Sequence, residues 1–247
     1  MSTSNTSTTN LLELKGVHTH IGAYHILHGV DLAVPKGQLT MLLGRNGAGK
    51  TTTLRTIMGL WHASQGSIHF GGKDITAMNT PTIAGLNIAY VPENMGIFAD
   101  LTVKENMLLA ARNASNAAQM DEARLQWIFK LFPAVEKFWN HPAGKLSGGQ
   151  KQMVAVSRAI VEPRDLLIVD EPSKGLAPAI INNMIDAFDQ LKKSGVTILL
   201  VEQNINFAKR LGDTVAVMDN GQVVHAGSMA ALAADEELQR SLLGLAL

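Results

Sequence analysis

The residues best suited to chemistry form one glycine-rich segment, which follows the apolar run 39–43 and leads into 52–58, a stretch without a helix breaker. A buried strand, a glycine-rich turn and a helix, in that order, are the context of a phosphate-binding loop. We expect the glycines to let successive N–H groups point at phosphate oxygens, beside the positive end of the helix dipole. The predicted nucleotide-binding residues of this loop are Gly44, Arg45, Asn46, Gly47, Ala48, Gly49, Lys50, Thr51 and Thr52.

Lys50 and Thr51 indicate which ligand the loop binds. The lysine can reach the terminal phosphates, and the threonine hydroxyl can bind Mg²⁺. An ordinary glycine-rich turn between a strand and a helix would leave both residues unexplained. The segment therefore predicts a nucleoside triphosphate.

Two acids follow the apolar run Leu166–Val169. An acid at the carboxyl end of a buried strand is suited to hold Mg²⁺ beside a phosphate loop. We expect Asp170 to hold the ion through water and Glu171 to orient or deprotonate the attacking water. The alternative is that Asp170 and Glu171 merely end a strand with polar residues, and the phosphate loop favours the catalytic interpretation.

A second candidate for anion binding lies about a hundred residues after the first, in the segment Leu146, Ser147, Gly148, Gly149 and Gln150. Ser147 is a good helix N-cap, and the two glycines expose N–H groups at the helix start. The segment could be a capped helix start and nothing more. Two such helix starts in one chain nevertheless suggest a nucleotide held from two sides.

The elements that must position these residues alternate between strands and helices, so the fold class is α/β. Short apolar runs predict strands at 12–18, 30–34, 67–70, 88–91, 166–169 and 196–201, and the hairpin turn Asp219-Asn220-Gly221 joins strands at 214–218 and 222–226. A capping box at Thr102 and Glu105 opens a helix, a second helix spans 120–132, and 94 to about 150 is predicted to be a helical insertion. Residues 1–10 are predicted to be a flexible polar tail, and 11–247 a single domain.

Composition excludes several classes of function. The 247 residues contain 21 basic and 21 acidic side chains, which argues against a general nucleic-acid binder, and no cysteine for disulfides, thiolate metal sites or nucleophiles. The apolar runs are shorter than the roughly 18 residues that span a bilayer, and the first ten residues lack the features of a secretion signal. We therefore expect a cytoplasmic protein that meets the membrane only through a partner.

The phosphate loop, the Leu146–Gln150 segment and the strand ending in Asp170-Glu171, in this order and spacing, resemble the ATP-binding subunit of an ABC transporter. The resemblance covers the chain from Leu11 onward. It implies a P-loop NTPase core with a mainly parallel sheet, an N-terminal antiparallel β subdomain and an inserted helical subdomain. It also implies ATP and Mg²⁺ as ligands, and a head-to-tail dimer in which the signature residues Leu146 to Gln150 contact ATP bound mainly by the other subunit.

Finer motifs resemble one of the two ATPase subunits that serve branched-chain amino acid importers. They are Val91-Pro92-Glu93, Ser173 to Pro178 and Val201-Glu202-Gln203-Asn204. Importers for urea and similar amides share much of this pattern and are the alternative. By this resemblance the partners are a second ATPase subunit, either a paralogue or another copy, together with transmembrane permease subunits and, indirectly, a solute-binding protein.

Four places depart from the general family pattern. Glu93 stands where a glutamine usually meets Mg²⁺, and Gln203 where a histidine usually senses the γ-phosphate. Gln203 can hydrogen-bond that phosphate but cannot titrate. The aromatic residue that stacks on adenine is replaced by Ile21, with Tyr24 as the other candidate. The stretch 94–96 lacks the expected paired arginines and is predicted to touch the membrane partner.

The remaining sequence features give weaker evidence about function. The pairs His18/His20 and His25/His28 lack a further ligand for a convincing metal site, so packed or exposed histidines are the favoured interpretation. The sequence lacks the Asn-Lys-x-Asp motif that would indicate guanine specificity, which favours ATP over GTP.

Two functions compete: a working importer ATPase, and a nucleotide-gated dimerisation module with slow hydrolysis. A soluble ABC ATPase of translation or repair is disfavoured, because such chains commonly carry two cassettes or a long insertion.

Overall fold

Two β-sheets and ten α-helices build the part of the chain that the computed structural model describes, residues 9–111, 116 and 119–244. The strands are β1 (Asn10–Ile21), β2 (Tyr24–Pro35), β3 (Leu39–Gly44), β4 (Ala63–Phe70), β5 (Lys73–Asp74), β6 (Ile88–Val91), β7 (Leu166–Asp170), β8 (Thr197–Glu202), β9 (Thr214–Asp219) and β10 (Gln222–Ser228). The helices are α1 (Lys50–Ile57), α2 (Thr80–Ala84), α3 (Val103–Ala110), α4 (Glu122–Leu131), α5 (Pro133–Lys137), α6 (Gly148–Ala159), α7 (Pro178–Lys193), α8 (Ile205–Leu211), α9 (Met229–Ala234) and α10 (Glu236–Leu243).

The larger sheet has the strand order β10-β9-β3-β8-β7-β6, with every pair parallel except the edge hairpin β9–β10. All residues of β3, β7 and β8 are buried, as expected for parallel strands covered on both faces. Because neighbouring parallel strands end at the same edge, the sheet places Gly44, Asp170 and Glu202 side by side. The predicted α/β class and the mainly parallel sheet are confirmed.

The smaller sheet is antiparallel, with the order β2-β1-β4-β5. Its first two strands are each 12 residues long, more than the apolar runs 12–18 and 30–34 predicted. The parts of these strands that lie beyond the predicted runs include polar residues. There the hairpin pairs His18 with His28 and His20 with His25 instead of pairing apolar residues. Strand β1 also includes Asn10, which was wrongly assigned to the N-terminal tail. Residues 1–8 of that predicted tail lie outside the described residues.

Two local predictions of the helical region are confirmed: the capping box, and the second helix, which spans Glu122–Leu131 within the predicted range 120–132. The capping box of Thr102 and Glu105 opens α3, and Asp121 caps α4 by accepting from the backbone N–H of Arg124. Pro133 begins α5 directly after α4, at a first helical position where its missing N–H costs nothing. Helix α8 was not predicted. Its seven residues are too few for a clear period, although the Asn204 side chain caps it.

No helix among the described residues has both the length and the apolar character needed to cross a membrane.

The hairpin turn between β9 and β10 has the predicted geometry, with Asn220 and Gly221 both at positive φ (44° and 76°). The four histidines of β1 and β2 lie together: the rings of His20 and His25 stack with centroids 4.1 Å apart. Within the described ranges, however, no group of three or more His, Cys, Asp or Glu side chains could hold a metal ion.

Candidate active site

The phosphate loop connects the end of β3 to the start of α1. Gly44 has φ 152° and Gly49 has φ 102°, a region that L-residues with side chains avoid. A Cβ on Gly44 would lie 2.4 Å from the carbonyl oxygen of Met218, so the close approach of β9 also requires glycine there. The loop therefore owes its shape to both its own dihedral angles and its neighbour in the sheet.

Lys50 is held inside this loop, with 4% of its surface exposed. Its ammonium group donates hydrogen bonds to the carbonyl oxygens of Gly44 (2.9 Å) and Arg45 (3.0 Å). The same nitrogen lies 3.5 Å from Oε1 of Glu171. A buried, fully oriented cation at this point is suited to bind phosphate oxygens.

The tip of the β9–β10 hairpin fastens the loop from the other side. Gly221 donates its N–H to the carbonyl oxygen of Ala48 (3.0 Å), and its own carbonyl accepts from the N–H of His28 (2.9 Å). A Cβ on Gly221 would lie 2.1 Å from the carbonyl oxygen of Ile26. The hairpin tip thus ties the phosphate loop to β2, a function of Gly221 that its turn motif did not indicate.

Glu171 occupies a strained backbone position directly after β7. Its φ is +48°, which is uncommon for a residue other than glycine and recurs at active sites. Its Oε1 accepts a hydrogen bond of 2.6 Å from Nε2 of Gln203, which also donates to Oδ1 of Asn46 at 2.7 Å. The structure therefore joins the predicted base, the predicted γ-phosphate sensor and the phosphate loop in one network.

Asp170 is 1% exposed, and neither of its carboxylate oxygens has a hydrogen-bond partner of normal geometry. The pKa of Asp170 is raised to about 6, chiefly by burial and also by the charges of Glu171 and Glu93. The hydroxyl of Thr51 and the charge of Lys50 oppose this rise, although the Thr51 contact falls short of a normal hydrogen bond. Two orphaned, buried carboxylate oxygens are what a bound cation would satisfy.

These oxygens fit the predicted Mg²⁺ well. Mg²⁺ commonly takes one or two protein ligands and completes its shell with phosphate oxygens and water. That agrees with the finding that no cluster in the described part of the chain could hold a metal by itself. Thr51, Asp170 and Glu93 remain the predicted residues for the ion.

A cavity of about 370 Å³ lies over the phosphate loop. Its lining residues are Ile26, Asn46, Gly47, Gly49, Lys50, Thr51, Thr52, Glu93, Glu171 and Lys174. Most of the predicted nucleotide-binding residues therefore meet at one place. Ile21 and Tyr24 are not among the lining residues, and Tyr24 is 76% exposed, so an adenine contact by either stays a prediction. The hydrophobic wall of this cavity is instead Ile26.

The signature segment does not reach this cavity. Ser147 forms a capping box with Gln150, accepting from the N–H of Gln150 at 3.4 Å while the Gln150 side chain accepts from the N–H of Ser147 at 2.9 Å. Gly149 packs against Ile180, which a Cβ would approach to 2.7 Å, whereas a Cβ on Gly148 would meet open space. Leu146 is buried, while Ser147 and Gly148 are exposed. The start of α6, capped by Ser147, thus faces outward.

Sequence reasoning missed a structural carboxylate, Glu202, which is 2% exposed at the end of β8. It accepts hydrogen bonds from the backbone N–H groups of Ser173 (2.9 Å), Gln203 (3.1 Å) and Asn204 (3.3 Å). Burial raises the pKa of Glu202, and these hydrogen bonds oppose that rise. An acid at the end of an apolar strand, as at Asp170, was the available signal. Glu202 holds the loops after β7 and β8 in register.

Replacing Glu202 with alanine is expected to lower the free energy of unfolding by about 1–3 kcal/mol, because it leaves the buried N–H of Ser173 and the partly buried N–H groups of Gln203 and Asn204 without this acceptor. Chemical denaturation measures this loss. The control is Glu237→Ala on the exposed face of α10, which should change the unfolding free energy by less than about 0.5 kcal/mol. Equal effects of the two substitutions would show that Glu202 does not organise these loops.

Comparison with known proteins agrees with this geometry. The ABC transporter family matches residues 27–174. The chain is 38% identical to the high-affinity branched-chain amino acid transport ATP-binding protein BraG of Pseudomonas aeruginosa, over 95% of this chain and 100% of the relative. It is 34% identical to the probable branched-chain amino acid transport ATP-binding protein LivF of Archaeoglobus fulgidus, over 90% and 93% of the two chains. A solved ATP-binding cassette of an ABC transporter, in its ADP conformation, superposes with a TM-score of 0.80 at 26% identity, covering 96% of this chain and 100% of that one.

Proposed function

This chain belongs to the ATP-binding subunits of the ABC transporter family, and we propose that it hydrolyses ATP to power the import of branched-chain amino acids. The convergence of Lys50, Asp170 and Glu171 on one phosphate loop carries the hydrolytic part of this proposal. The amino acid part rests on the similarity to BraG and LivF, whose names state that class of transport.

The site residues divide the work of hydrolysis. The loop N–H groups and Lys50 bind the phosphates, and Mg²⁺, held by Asp170 with Thr51 and Glu93, would neutralise charge on the phosphate oxygens. Glu171, 8% exposed in its side chain, accepts a proton from the attacking water as general base. Gln203 holds Glu171 through its amide and can donate to the γ-phosphate.

We further propose that the signature segment serves a second cassette. Ser147 and Gly148 are exposed and lie outside the cavity of their own chain, so the hydroxyl of Ser147 and the N–H of Gly148 are placed to meet a nucleotide that another subunit presents. A head-to-tail dimer, with a paralogue or with another copy, satisfies this requirement. Closing and reopening such a dimer would move the membrane-spanning partners between two access states.

A groove of about 1090 Å³ supplies a surface for the membrane partner. Trp61, Tyr90, Met95 and Leu109 contribute to its wall, and Glu93 lines both this groove and the nucleotide cavity. A permease segment bound in the groove would therefore be coupled through Glu93 to changes in the phosphates of the bound nucleotide. This supports the predicted contact of the stretch 94–96 with a permease, at the inner face of the cell membrane.

Uptake of labelled solutes by cells tests the proposed solute class. Cells in which the gene for this protein is deleted should lose high-affinity uptake of labelled leucine, isoleucine or valine and keep their urea uptake. Restoring the parent chain should restore uptake, whereas the Glu171→Gln variant should not. Loss of urea uptake alone would favour the amide importer, and restoration by Glu171→Gln would favour the nucleotide-gated module with little hydrolysis of its own.

A further inference from the structure

Lys174 bridges two acids of the nucleotide cavity. Its ammonium nitrogen lies 2.5 Å from Oε1 of Glu93 and 3.5 Å from Oε2 of Glu171. Glu93 follows β6 and Glu171 follows β7, so one side chain connects the ends of two neighbouring strands. Lys174, Glu93 and Glu171 all line the cavity.

The position of Lys174 is set by the backbone around it. The N–H of Lys174 donates to the carbonyl oxygen of Glu171 at 3.2 Å, and Gly175 follows at φ 70°. This turn directs the lysine back over the acid that precedes it by three residues. The buried Glu202 fixes the same turn through the N–H of Ser173.

Lys174 offsets part of the negative charge that surrounds the phosphate site. Asp170, Glu171 and Glu93 contribute three negative charges, and Lys50 and Lys174 contribute two positive ones. Without Lys174 the site would meet a triphosphate with an excess of two negative charges instead of one. The hydrogen bond with Glu93 raises the pKa of Lys174, so the lysine stays charged at neutral pH.

An exposed ion pair without function is the alternative, because Lys174 and Glu93 are about half exposed and such pairs contribute little to stability. Three observations distinguish Lys174 from such a pair. It contacts two acids at once, one of them the predicted general base, and it forms part of the cavity wall. Its contribution is therefore expected in nucleotide binding and not in folding.

We propose that Lys174 is a positioning residue for ATP hydrolysis, which neutralises Glu93 beside the phosphates and holds the second carboxylate oxygen of Glu171. Glu93 and Lys174 together thus replace the single neutral glutamine that is usual in the family. The lysine engages one carboxylate oxygen of Glu93, so the other can still bind a cation. This inference rests on the proposed function of the same site.

The test is a double-mutant cycle on nucleotide affinity, with the purified chain titrated with Mg²⁺-ATP by calorimetry. Lys174→Met alone should weaken binding by roughly 5- to 20-fold, because it leaves Glu93 unpaired near the phosphates. In the Glu93→Gln background the same substitution should weaken binding by less than about threefold. Raising the salt concentration should shrink the defect of the single variant, since the repulsion is screened.

Hydrolysis supplies a second readout. We expect Lys174→Met to raise KM for ATP mainly through Glu93, and to lower kcat through the lost contact with Glu171. Only the KM effect should recover in the double variant. The control is Lys73→Met on the exposed edge strand β5, where neither binding nor hydrolysis should change.

Two affinity results would overturn the inference. One is parent-like affinity in Lys174→Met, and the other is an equal loss in the parent and in the Glu93→Gln background, which would show that the lysine does not act through Glu93. A parent chain that binds no Mg²⁺-ATP would instead refute the proposed function. A merely structural role of Lys174 would lower the melting temperature of the nucleotide-free protein in Lys174→Met, with or without Glu93→Gln. This result too would contradict the proposal.

Discussion

Replacing Glu171 with glutamine is expected to lower ATP hydrolysis by at least about 100-fold while ATP still binds, because general-base catalysis contributes roughly 10²–10⁴-fold. The glutamine has the same shape, and its amide oxygen can keep the hydrogen bond from Gln203. The change removes the charge that would accept the proton from water. Phosphate release measures hydrolysis, and size-exclusion chromatography with ATP should show a persistent dimer.

The matched control is Glu136→Gln, an exposed residue of α5 outside the nucleotide cavity. It should hydrolyse ATP at the parent rate. Turnover of Glu171→Gln at the parent rate would show that Glu171 is not the base and would remove the main support for the assigned chemistry. An inactive parent chain that still binds ATP would point to a composite site completed by a different second cassette.

Replacing Lys50 with alanine is expected to weaken Mg²⁺-ATP binding by about 10- to 100-fold and to abolish measurable hydrolysis. A hydrogen bond to a charged group contributes about 1.5–3 kcal/mol, and each 1.4 kcal/mol corresponds to a factor of ten in affinity. The substitution also removes the two hydrogen bonds that Lys50 makes to the carbonyl oxygens of Gly44 and Arg45. Calorimetric titration with Mg²⁺-ATP and phosphate release give the two values.

Lys50→Met separates the loss of charge from loosening of the loop, because the methionine keeps most of the buried stem. We expect the two variants to bind Mg²⁺-ATP about equally poorly. Lys36→Ala, at an exposed position before β3, should bind like the parent. Tight Mg²⁺-ATP binding by Lys50→Met would mean that the lysine orders the loop and does not bind the phosphates.

Contacts between residues close in the chain were predicted better than contacts between distant ones. The capping boxes of Thr102 and Ser147 and the hairpin turn at Asn220-Gly221 were predictable, because each depends on residues within a few positions of one another. Element ends were predicted less well. Strands β1 and β2 continue through polar residues, which an apolar pattern cannot indicate.

The distant contacts of the site were not predictable in the same way. Gln203 reaches Asn46 across 157 positions, and Lys174 reaches Glu93 across 81. These pairs depend on which strands are neighbours in the sheet. A local pattern identifies a strand but not its order in the sheet. The sequence therefore indicates Lys174 only as part of a family motif and indicates no role for Ile26 or Glu202.

The amino-acid sequence by itself determined the α/β class, the phosphate loop, the acids after β7 and the signature segment, because each is written in a short run of residue types. The tertiary structure decided which of these meet. It joined Lys50, Glu171 and Gln203 in one network and left the signature segment facing outward. The physical reason is the parallel sheet, which brings the ends of β3, β6, β7 and β8 to one edge and so assembles charges that are far apart along the chain.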